Sequence, residues 1–269
     1  MLTSLVGFIC RFGGVRTAFW RQLYQLLAGR YRQFDWTYMN YGYRSTDPSK
    51  ALRLNPEDEN DRYCIQLYDF VCSTADLKDK HVLEVGSGRG GGASYIARYL
   101  RPAAVTGVDF SSNAVQFCRQ RHRVDRVAFR VGRAEALPFE DGVFDAVVNV
   151  ESSHCYESMT AFIKEVCRVL KTDGSFVYAD FRESNYLNQW RTELASAGMQ
   201  IIRETDITKN VLLALDADDE RKAALIGGLV PKPFINSFRQ FAGMRGSLIH
   251  EGFRTGRLTY RAFLLRMNV

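Results

Sequence analysis

The chain has 269 residues, 46% of them hydrophobic and 25% charged, which is typical of a globular protein with a sizeable buried core. Its formal net charge of +6 is uneven: residues 1–34 hold five arginines and no acidic residue, so the other 235 residues carry only +1. A nearly neutral body argues against a nucleic-acid partner, and no apolar run is long enough to span a bilayer. The six cysteines are scattered without metal-site spacing, which predicts reduced thiols, a cytoplasmic location and no bound metal.

Residues 1–34 combine their arginines with apolar side chains at helical spacing, as at Val15, Phe19, Leu23 and Leu26. This pattern predicts a basic amphipathic helix, and the segment lacks the basic start and cleavage site of a secretory signal. One hypothesis is peripheral contact with an anionic membrane, or a place at the mouth of an apolar pocket. The other is a helix packed on the domain with its arginines in water. Both stay open.

Residues 34–43 are unusually aromatic, with Trp36, Tyr38, Tyr41 and Tyr43. Such rings would suit a lid over bound ligands, in which Tyr41 is a candidate substrate contact, or they could simply pack in the core. The polar, turn-rich stretch from Thr46 to Asn60 predicts a connecting loop. Residues 1–60 are therefore predicted to form an N-terminal segment that consists of the amphipathic helix and the aromatic lid.

From residue 61 onward, short apolar runs alternate with helical patterns. The predicted strands are residues 82–85, Val105–Asp109, Val127–Val131, Phe144–Val150, Ser175–Ala179, Met199–Asp206 and Leu258–Met267. The predicted helices are Asp61–Ser73, a helix from Ala93, Ala114–Arg121, Thr160–Leu170 and Asn188–Gly198. This alternation predicts an α/β fold with a Rossmann-like, doubly wound seven-stranded sheet that binds ligands at the carboxyl ends of its strands.

Residues 61–207 are predicted to form the core domain, and residues 251–269 add its last strand. Residues 208–250 form a mostly helical insertion, in which Phe234, Phe238 and Phe241 follow helical spacing. Such an insertion predicts a cap over the substrate, with Phe238 and Phe241 as contacts.

The stretch His81–Gly92, HVLEVGSGRGGG, predicts a buried strand, a glycine turn and a helix start. Glycines there let the backbone approach a ligand, and the helix start offers free N–H groups. Gly86, Gly88 and Gly90 fit the GxGxG of methyltransferases, whereas Gly91 in third place gives the dinucleotide pattern GxGxxG. Glu84 would repel a pyrophosphate but suits an ammonium group, which favours S-adenosylmethionine as the ligand. Ser87 is a further candidate contact of this cofactor.

Asp109 ends the second predicted strand, where a carboxylate can accept hydrogen bonds from both hydroxyls of a ribose. Phe110 beside it could pack on an adenine. These two positions indicate a nucleoside without choosing between S-adenosylmethionine and NAD.

The stretch Gly132–Phe139, GRAEALPF, with the following EDGVFD, resembles the region after the third strand in class I S-adenosylmethionine-dependent methyltransferases. Glu84–Gly90, Val108–Phe110 and the VLKTDG turn resemble other motifs of that family, and the resemblance covers about residues 80–180. It implies that Ala134 and Glu135 hold the adenine. Arg133 departs from the usual aspartate and cannot accept a hydrogen bond, so a backbone carbonyl or Glu135 must replace it.

The fourth predicted strand leads into NVESSHCY, where the methyl acceptor is expected. Asn149 would contact the cofactor, and Glu151 or Tyr156 would line the acceptor pocket. A neutral imidazole of His154 could remove the proton of an acceptor hydroxyl near pH 7. The alternative is a structural histidine that holds the loop.

A narrower resemblance involves NYGY, LEVGSGRGGGASY, FCRQRHR, NVESSHCY and LTYR, which are similar to the phthiotriol/phenolphthiotriol dimycocerosates methyltransferase group and related bacterial natural-product enzymes. It implies O-methylation of a hydroxyl on a hydrophobic small molecule such as a lipid or polyketide. That group grades into enzymes that methylate carbon of prenyl or sterol chains, which is the alternative function. A third hypothesis is that the protein binds the cofactor without catalysing methyl transfer. An NAD dehydrogenase would leave Glu84 and GRAEALPF without a role.

Overall fold

A computed structural model describes residues 36–47, 49 and 51–268. The helix predicted within residues 1–34, and the membrane contact predicted for it, lie outside the described residues. Positions 36–43 of the aromatic segment are described, and they run along the core without regular secondary structure. A 3₁₀ helix at Pro56–Asp61 then leads into the first described α-helix.

The seven predicted strands form a single sheet. Their bounds are β1 His81–Val85, β2 Ala104–Asp109, β3 Val127–Val131, β4 Phe144–Val150, β5 Leu170–Glu183, β6 Met199–Asp206 and β7 Leu258–Met267. The order across the sheet is β3-β2-β1-β4-β5-β7-β6, with β7 antiparallel to both neighbours and the other pairs parallel. The predicted α/β fold is confirmed, and the chain order reverses between β1 and β4, so the crevice at their carboxyl ends is where a ligand belongs.

Successive residues of the central strands explain why the sheet forms. On β1, Val82 packs in the apolar cluster on one face, whereas Leu83 and Val85 pack in the cluster on the other face. On β4, Val148 and Val147 divide in the same way. Strands buried on both faces have near-continuous apolar sequences, as a parallel sheet covered by helices requires.

Eight α-helices cover the sheet or form the insertion in the described residues. They are α1 Arg62–Cys72, α2 Gly91–Tyr99, α3 Ser112–Arg121, α4 Met159–Val169, α5 Leu187–Ser196, α6 Thr208–Leu229, α7 Ile235–Phe241 and α8 Leu248–Arg254. Serine caps fix several of their starts: the side chains of Ser111, Ser158 and Ser247 each accept a hydrogen bond from a backbone N–H of the first turn.

Strand β5 is much longer than the predicted Ser175–Ala179. The predicted turn at residues 172–174 lies within it as an irregularity, because Phe144 of β4 pairs with Leu170 while Ala146 pairs with Ser175. At the other end the antiparallel partner β7 prolongs pairing as far as Glu183. Asp180, which the prediction placed just beyond the strand, therefore lies inside it.

The insertion before β7 is mostly helical, as predicted, and consists of α6, α7 and α8. Its far part has a small apolar cluster of its own around Ile226, Val230 and Met244. In the described part of the chain, no helix combines the length and apolar character needed to cross a membrane.

Candidate active site

The glycine turn after β1 has the geometry of the GxGxG pattern. Gly86, Gly88 and Gly90 have φ angles of +73°, +54° and +81°, which side chains rarely tolerate, and Gly91 begins α2 as an ordinary helical residue. A Cβ on Gly86 would lie 2.4 Å from Ser152 Oγ. The turn is tied to β2, since the Gly86 N–H donates to the carbonyl of Val108 over 2.9 Å.

Glu84 is the buried carboxylate of this turn, with 1% of its surface exposed. Its Oε1 accepts a 2.7 Å hydrogen bond from the Tyr68 hydroxyl. Burial raises the pKa of Glu84 to about 8, against the opposing effect of the bonds from Tyr68 and from the backbone of Ala93. A cationic partner would therefore stabilise the ionised carboxylate, because it would compensate for the hydration that burial removes.

Three buried oxygens around the turn have no hydrogen-bond partner among the residues that the structure describes: Glu84 Oε2, Ser87 Oγ and Asn149 Oδ1. Each such group costs about 1–3 kcal/mol when it stays unsatisfied, so their grouping indicates a ligand with several donors. The ammonium and hydroxyl groups of S-adenosylmethionine are donors of this kind. The residues present thus fit the cofactor that the sequence predicts.

Asp109 ends β2 beside the turn, as predicted. Its Oδ2 accepts a 2.9 Å hydrogen bond from the Gly88 N–H and its Oδ1 accepts one of 2.9 Å from the Ser111 N–H. Burial raises the pKa of Asp109 to about 6, and the two backbone bonds oppose that rise. The carboxylate is held rigidly at the edge of the crevice, while the half-buried Phe110 follows it; their contacts with ribose and adenine stay predictions.

The residues after β3 form a small surface network. Ala134 is buried, and Glu135 Oε1 accepts a 2.8 Å hydrogen bond from the Glu157 N–H. The Arg133 guanidinium pairs with Glu157 Oε2 at 2.6 Å and is 46% exposed. One oxygen of Glu135 is thus engaged by the loop before α4, and its predicted role toward adenine stays a prediction.

Replacing Arg133 with alanine should change the dissociation constant for S-adenosylmethionine by no more than about twofold, because an exposed ion pair contributes little. Calorimetric titration of both proteins measures this. A tenfold loss of affinity would contradict the surface position of Arg133 and would show that its side chain contacts the cofactor.

Asn149 and Tyr156 lie together against the glycine turn. The fully buried Asn149 donates through Nδ2 to the Val85 carbonyl over 2.9 Å and to the Tyr156 hydroxyl over 2.8 Å. A Cβ on Gly86 would lie 2.8 Å from that hydroxyl. Asn149 therefore lies where a cofactor contact was predicted, whereas Tyr156, predicted for the acceptor pocket, lies on the cofactor side of the crevice.

His154 is held by a carboxylate that the sequence did not reveal. Its Nδ1 is 2.8 Å from Oδ1 of Asp180, and its backbone N–H donates to Oδ2 of the same residue over 3.0 Å. Asp180 is fully buried, and it also accepts bonds from Ser153 Oγ over 2.6 Å and from the guanidinium of Arg182 over 3.2 Å. The ring of His154 is 29% exposed.

Opposing effects act on the pKa values of this pair, and the neutral imidazole base expected at His154 stays a prediction. Burial alone would lower the pKa of His154, but interactions with Cys155 and with the Asp180 carboxylate outweigh burial and raise this pKa to about 10. For Asp180, burial is outweighed by the positive charges of His154 and Arg182, which hold its pKa well below the ordinary value. The Asp180 carboxylate therefore favours the protonated form of the ring.

Glu151 joins the N-terminal segment to this site. It has a left-handed backbone with φ +51°, and its Oε2 accepts bonds from the Tyr41 N–H over 2.9 Å and the Tyr260 hydroxyl over 3.0 Å. Burial raises the pKa of Glu151 to about 8, against the opposing bond from Tyr41. Tyr41 thus lies next to Glu151, and its predicted contact with a substrate stays a prediction.

Aromatic rings surround His154 and Glu151. The Phe181 ring lies 4.6 Å from the His154 ring and 5.5 Å from the Tyr41 ring, measured between centroids. Phe253 lies 5.8 Å from Phe181. Of the two predicted cap contacts, Phe241 accepts a 3.4 Å bond from the Tyr41 hydroxyl at its carbonyl, whereas Phe238 packs in the apolar cluster of the insertion.

The segment 36–44 covers both sides of the crevice. Arg89 in the glycine turn donates to the Trp36 carbonyl, and a Cβ on Gly91 would lie 2.8 Å from the Thr37 carbonyl. At its other end, the Arg44 N–H donates to the Asn210 carbonyl of α6 over 3.1 Å. The segment therefore links the glycine turn, Glu151 and the insertion, and its function as a lid stays a prediction.

Curated relatives cover nearly the whole chain. A fatty-acid O-methyltransferase of Mycolicibacterium smegmatis is 37% identical over 90% of this chain and 87% of its own length. A phthiotriol/phenolphthiotriol dimycocerosates methyltransferase of Mycobacterium tuberculosis is 36% identical over 91% of this chain and 90% of its own. The predicted resemblance to the latter group is confirmed.

Solved structures share the fold at lower identity. The [4+2]-cyclase SpnF superposes with a TM-score of 0.71 at 22% identity, covering 92% of this chain and 94% of that one. A geranyl diphosphate C-methyltransferase from Streptomyces coelicolor, in complex with S-adenosyl-L-homocysteine, superposes with a TM-score of 0.63 at 20% identity, covering 91% and 98%.

A family profile described as a methyltransferase domain matches residues 83–178, from β1 into β5. Its span contains the glycine turn, Asp109, Asn149 and His154, which the structure brings to one crevice. The sequence relatives, the fold and the fit of the buried carboxylate agree on one cofactor, S-adenosyl-L-methionine. The chain belongs to the family of S-adenosyl-L-methionine-dependent methyltransferases.

Proposed function

We propose that the protein transfers a methyl group to a hydroxyl oxygen of a hydrophobic small molecule, a lipid, polyketide or related natural product. The cofactor supplies a methyl group on a sulfonium, which is electrophilic without further activation. The new O–CH₃ bond replaces the S–CH₃ bond, and the hydroxyl proton must leave. His154 accepts that proton.

The observation that carries this proposal is the pair of His154 and Asp180. With Nδ1–H donating to Asp180, the other ring nitrogen of the unprotonated imidazole is the acceptor for a proton. The buried carboxylate orients the ring and stabilises the imidazolium that forms, as in other histidine bases supported by an aspartate. Protonated rings must first lose their proton to solvent, which the 29% exposure of His154 permits.

The surroundings of this pair support an apolar acceptor. Tyr41, Phe181, Phe253 and Tyr260 present rings toward one another, and the partly exposed Tyr41 and Phe181 offer apolar surface beside His154. Two relatives are named for fatty acids and for phthiotriol lipids, which have long apolar chains. Membrane contact through residues 1–34 would suit such an acceptor and stays a prediction.

The test is product analysis with cofactor carrying an isotope-labelled methyl group. A panel of long-chain alcohols, hydroxylated polyketides, fatty acids and isoprenoids is incubated with the protein, and the products are identified by mass fragmentation and NMR. A labelled methyl ether supports the proposal. A methyl ester or a new C–CH₃ bond as the major product would refute the hydroxyl acceptor.

C-methylation of an isoprenoid or sterol-like acceptor is the second candidate. The aromatic rings around the buried Glu151 favour it, since their faces attract a cation and a carboxylate could take up the proton that a carbocation releases. Under this candidate Glu151→Gln should lower turnover more than His154→Gln. The reverse order supports the O-methyl proposal.

The pH dependence distinguishes a base from a resident cation. Because the pKa of His154 is raised from 6.5 to about 10, its unprotonated fraction is small at neutral pH, and kcat/KM should rise with pH up to that value. Asp180→Asn removes the charge that stabilises the imidazolium, so the rising limb should move to lower pH and the maximum should fall. Stopped assays across the pH range, with stability checked at each pH, measure both. Activity that falls as His154 deprotonates would contradict the base and would indicate an imidazolium that binds an acceptor carboxylate.

A further inference from the structure

Exposed apolar side chains concentrate in the insertion. Seven large apolar residues of the described chain are markedly exposed, and four of them belong to the segment between β6 and β7. These four are Leu225, Leu229, Phe234 and Leu248, exposed by 41%, 36%, 52% and 68%. Ordinary single exposed residues would scatter over the surface, so this concentration indicates a contact surface.

Three of the four belong to one tip, defined here as residues 224–234. Leu225 and Leu229 are one helical turn apart at the end of α6, where they flank Ile226 and Val230 of the small internal cluster. Because the latter two face inward, the leucines face outward. Gly227, Gly228, Pro231, Lys232 and Pro233 of the tip are exposed as well.

Basic residues predominate in the part of the insertion that contains the tip. Residues 221–250 contain five arginines and lysines and no aspartate or glutamate. Arg221, Lys222 and Arg245 pair with acidic residues at the base of α6, with shortest separations of 2.6, 3.8 and 3.1 Å. Lys232 and Arg239 form no ion pair with any residue that the structure describes, and Lys232 is exposed within the tip while Arg239 is partly exposed on α7.

The tip is connected to the proposed acceptor pocket by one short helix. Helix α7 has seven residues and spans about 10 Å, from the tip to Phe241. The Phe241 carbonyl accepts from Tyr41, and a Cβ on Gly243 would lie 3.2 Å from the Tyr41 ring. Tyr41 in turn binds Glu151 through its N–H. These contacts connect the tip, through α7 and Tyr41, to Glu151, which lies three residues before His154.

We propose that residues 224–234 dock on the surface of an anionic lipid bilayer, and that the hydrophobic acceptor enters from there. The second half of this statement rests on the proposed function. Exposed leucine and phenylalanine side chains next to basic residues without acidic neighbours match the apolar boundary and negative headgroups of such a surface. This contact does not depend on residues 1–34.

Vesicle co-sedimentation of the full chain tests the docking without any turnover. The vesicles contain phosphatidylcholine alone or equal parts of phosphatidylcholine and phosphatidylglycerol. The protein should bind the mixed vesicles more tightly. Leu225→Ser with Leu229→Ser should weaken this binding about tenfold or more, from the loss of two inserting side chains. Lys232→Gln should reduce the preference for phosphatidylglycerol.

The matched control is Val131→Ser with Ile202→Ser, two residues that are each 47% exposed on β3 and β6, outside the insertion. It should bind vesicles as the unchanged protein does. Equal binding by the Leu225 and Leu229 double variant would overturn the proposal and assign membrane contact elsewhere, for example to residues 1–34. Failure of the unchanged protein to bind either vesicle would also overturn it, and would leave a protein partner as the occupant of the tip.

A turnover assay separates this inference from the proposed function. The double variant should methylate an acceptor dispersed in detergent at the normal rate and the same acceptor in vesicles more slowly. Normal rates in both would refute delivery through the tip. Vesicle binding without methyl ether from any acceptor would refute the proposed function and leave the docking intact.

Discussion

Replacing His154 with alanine should lower kcat by roughly 10²–10⁴-fold, the usual contribution of a positioned general base. The methyl group of the cofactor is already electrophilic, so the side chains mainly align the acceptor and remove its proton. Without the imidazole, the acceptor hydroxyl would have to attack while still protonated or give its proton to water. Steady-state kinetics with the acceptor found by product analysis measure the effect.

Cofactor affinity should stay unchanged in this variant, because the nearest contacts of His154 are Asp180 and Phe181 rather than the glycine turn. His81→Ala is the matched control, since that side chain is exposed at the start of β1 and should tolerate the change. A variant that keeps full turnover on the true acceptor would remove His154 from the mechanism. A variant that loses cofactor binding instead would show that the loop after β4 supports the turn.

The sequence was sufficient to predict the sheet and the identity of the cofactor. Val82, Leu83 and Val85 form an apolar run because the strand is buried on both faces, and the turn that follows needs glycines at three positive φ angles. These are local requirements, and each leaves a local pattern. Glu84 was recognisable for the same reason, as the one carboxylate within an apolar strand.

Asp180 was missed because its function comes from pairing between strands. Val150 pairs with Ala179, and the Glu151 N–H donates to the Ala179 carbonyl, so the first residues beyond these pairs come together at the same sheet edge. Aligning the carboxyl ends of β4 and β5 would have brought Asp180 close to the loop that contains His154. The apolar pattern in the sequence ends at Ala179, so it does not place Asp180 beside His154.

Contacts of the N-terminal segment and the insertion could not be read from the sequence. Tyr41 bonds to Glu151 and to Phe241, which are 110 and 200 residues away. Helical spacing grouped Phe238 with Phe241, yet their environments differ, because one packs in the insertion and the other meets the lid. Periodicity shows which residues share a face and leaves open what that face contacts.

Replacing Glu84 with glutamine should weaken binding of S-adenosylmethionine about 10–100-fold, the range expected for loss of a charge-assisted hydrogen bond. Glutamine keeps the shape and can still accept from Tyr68, so the change removes mainly the negative charge that the ammonium group requires. Calorimetric titration measures the affinity. Glu57→Gln, at an exposed position of the 3₁₀ helix, is the control and should bind normally.

The same substitution should stabilise the protein without cofactor. The pKa of Glu84 is raised from 4.5 to about 8 in the folded chain, so the folded state binds more protons than the unfolded state in that interval, and stability falls as pH rises through it. Glutamine has no such loss, and the gain in melting temperature should be larger at pH 8 than at pH 4.5. A variant with a lower melting temperature at both pH values would indicate a structural carboxylate.

Proton release upon binding connects the two effects. An ammonium group beside Glu84 lowers the pKa of the carboxyl, so at neutral pH the unchanged protein should release a proton when the cofactor binds, and Glu84→Gln should not. Titrations in buffers of different ionisation enthalpy measure that proton directly. Equal release from both proteins would mean that another group, with Asp109 the nearest candidate because burial raises its pKa to about 6, compensates the cofactor charge. The buried carboxylate thus destabilises the protein without cofactor and stabilises its complex with the cofactor, which explains why an apolar strand contains it.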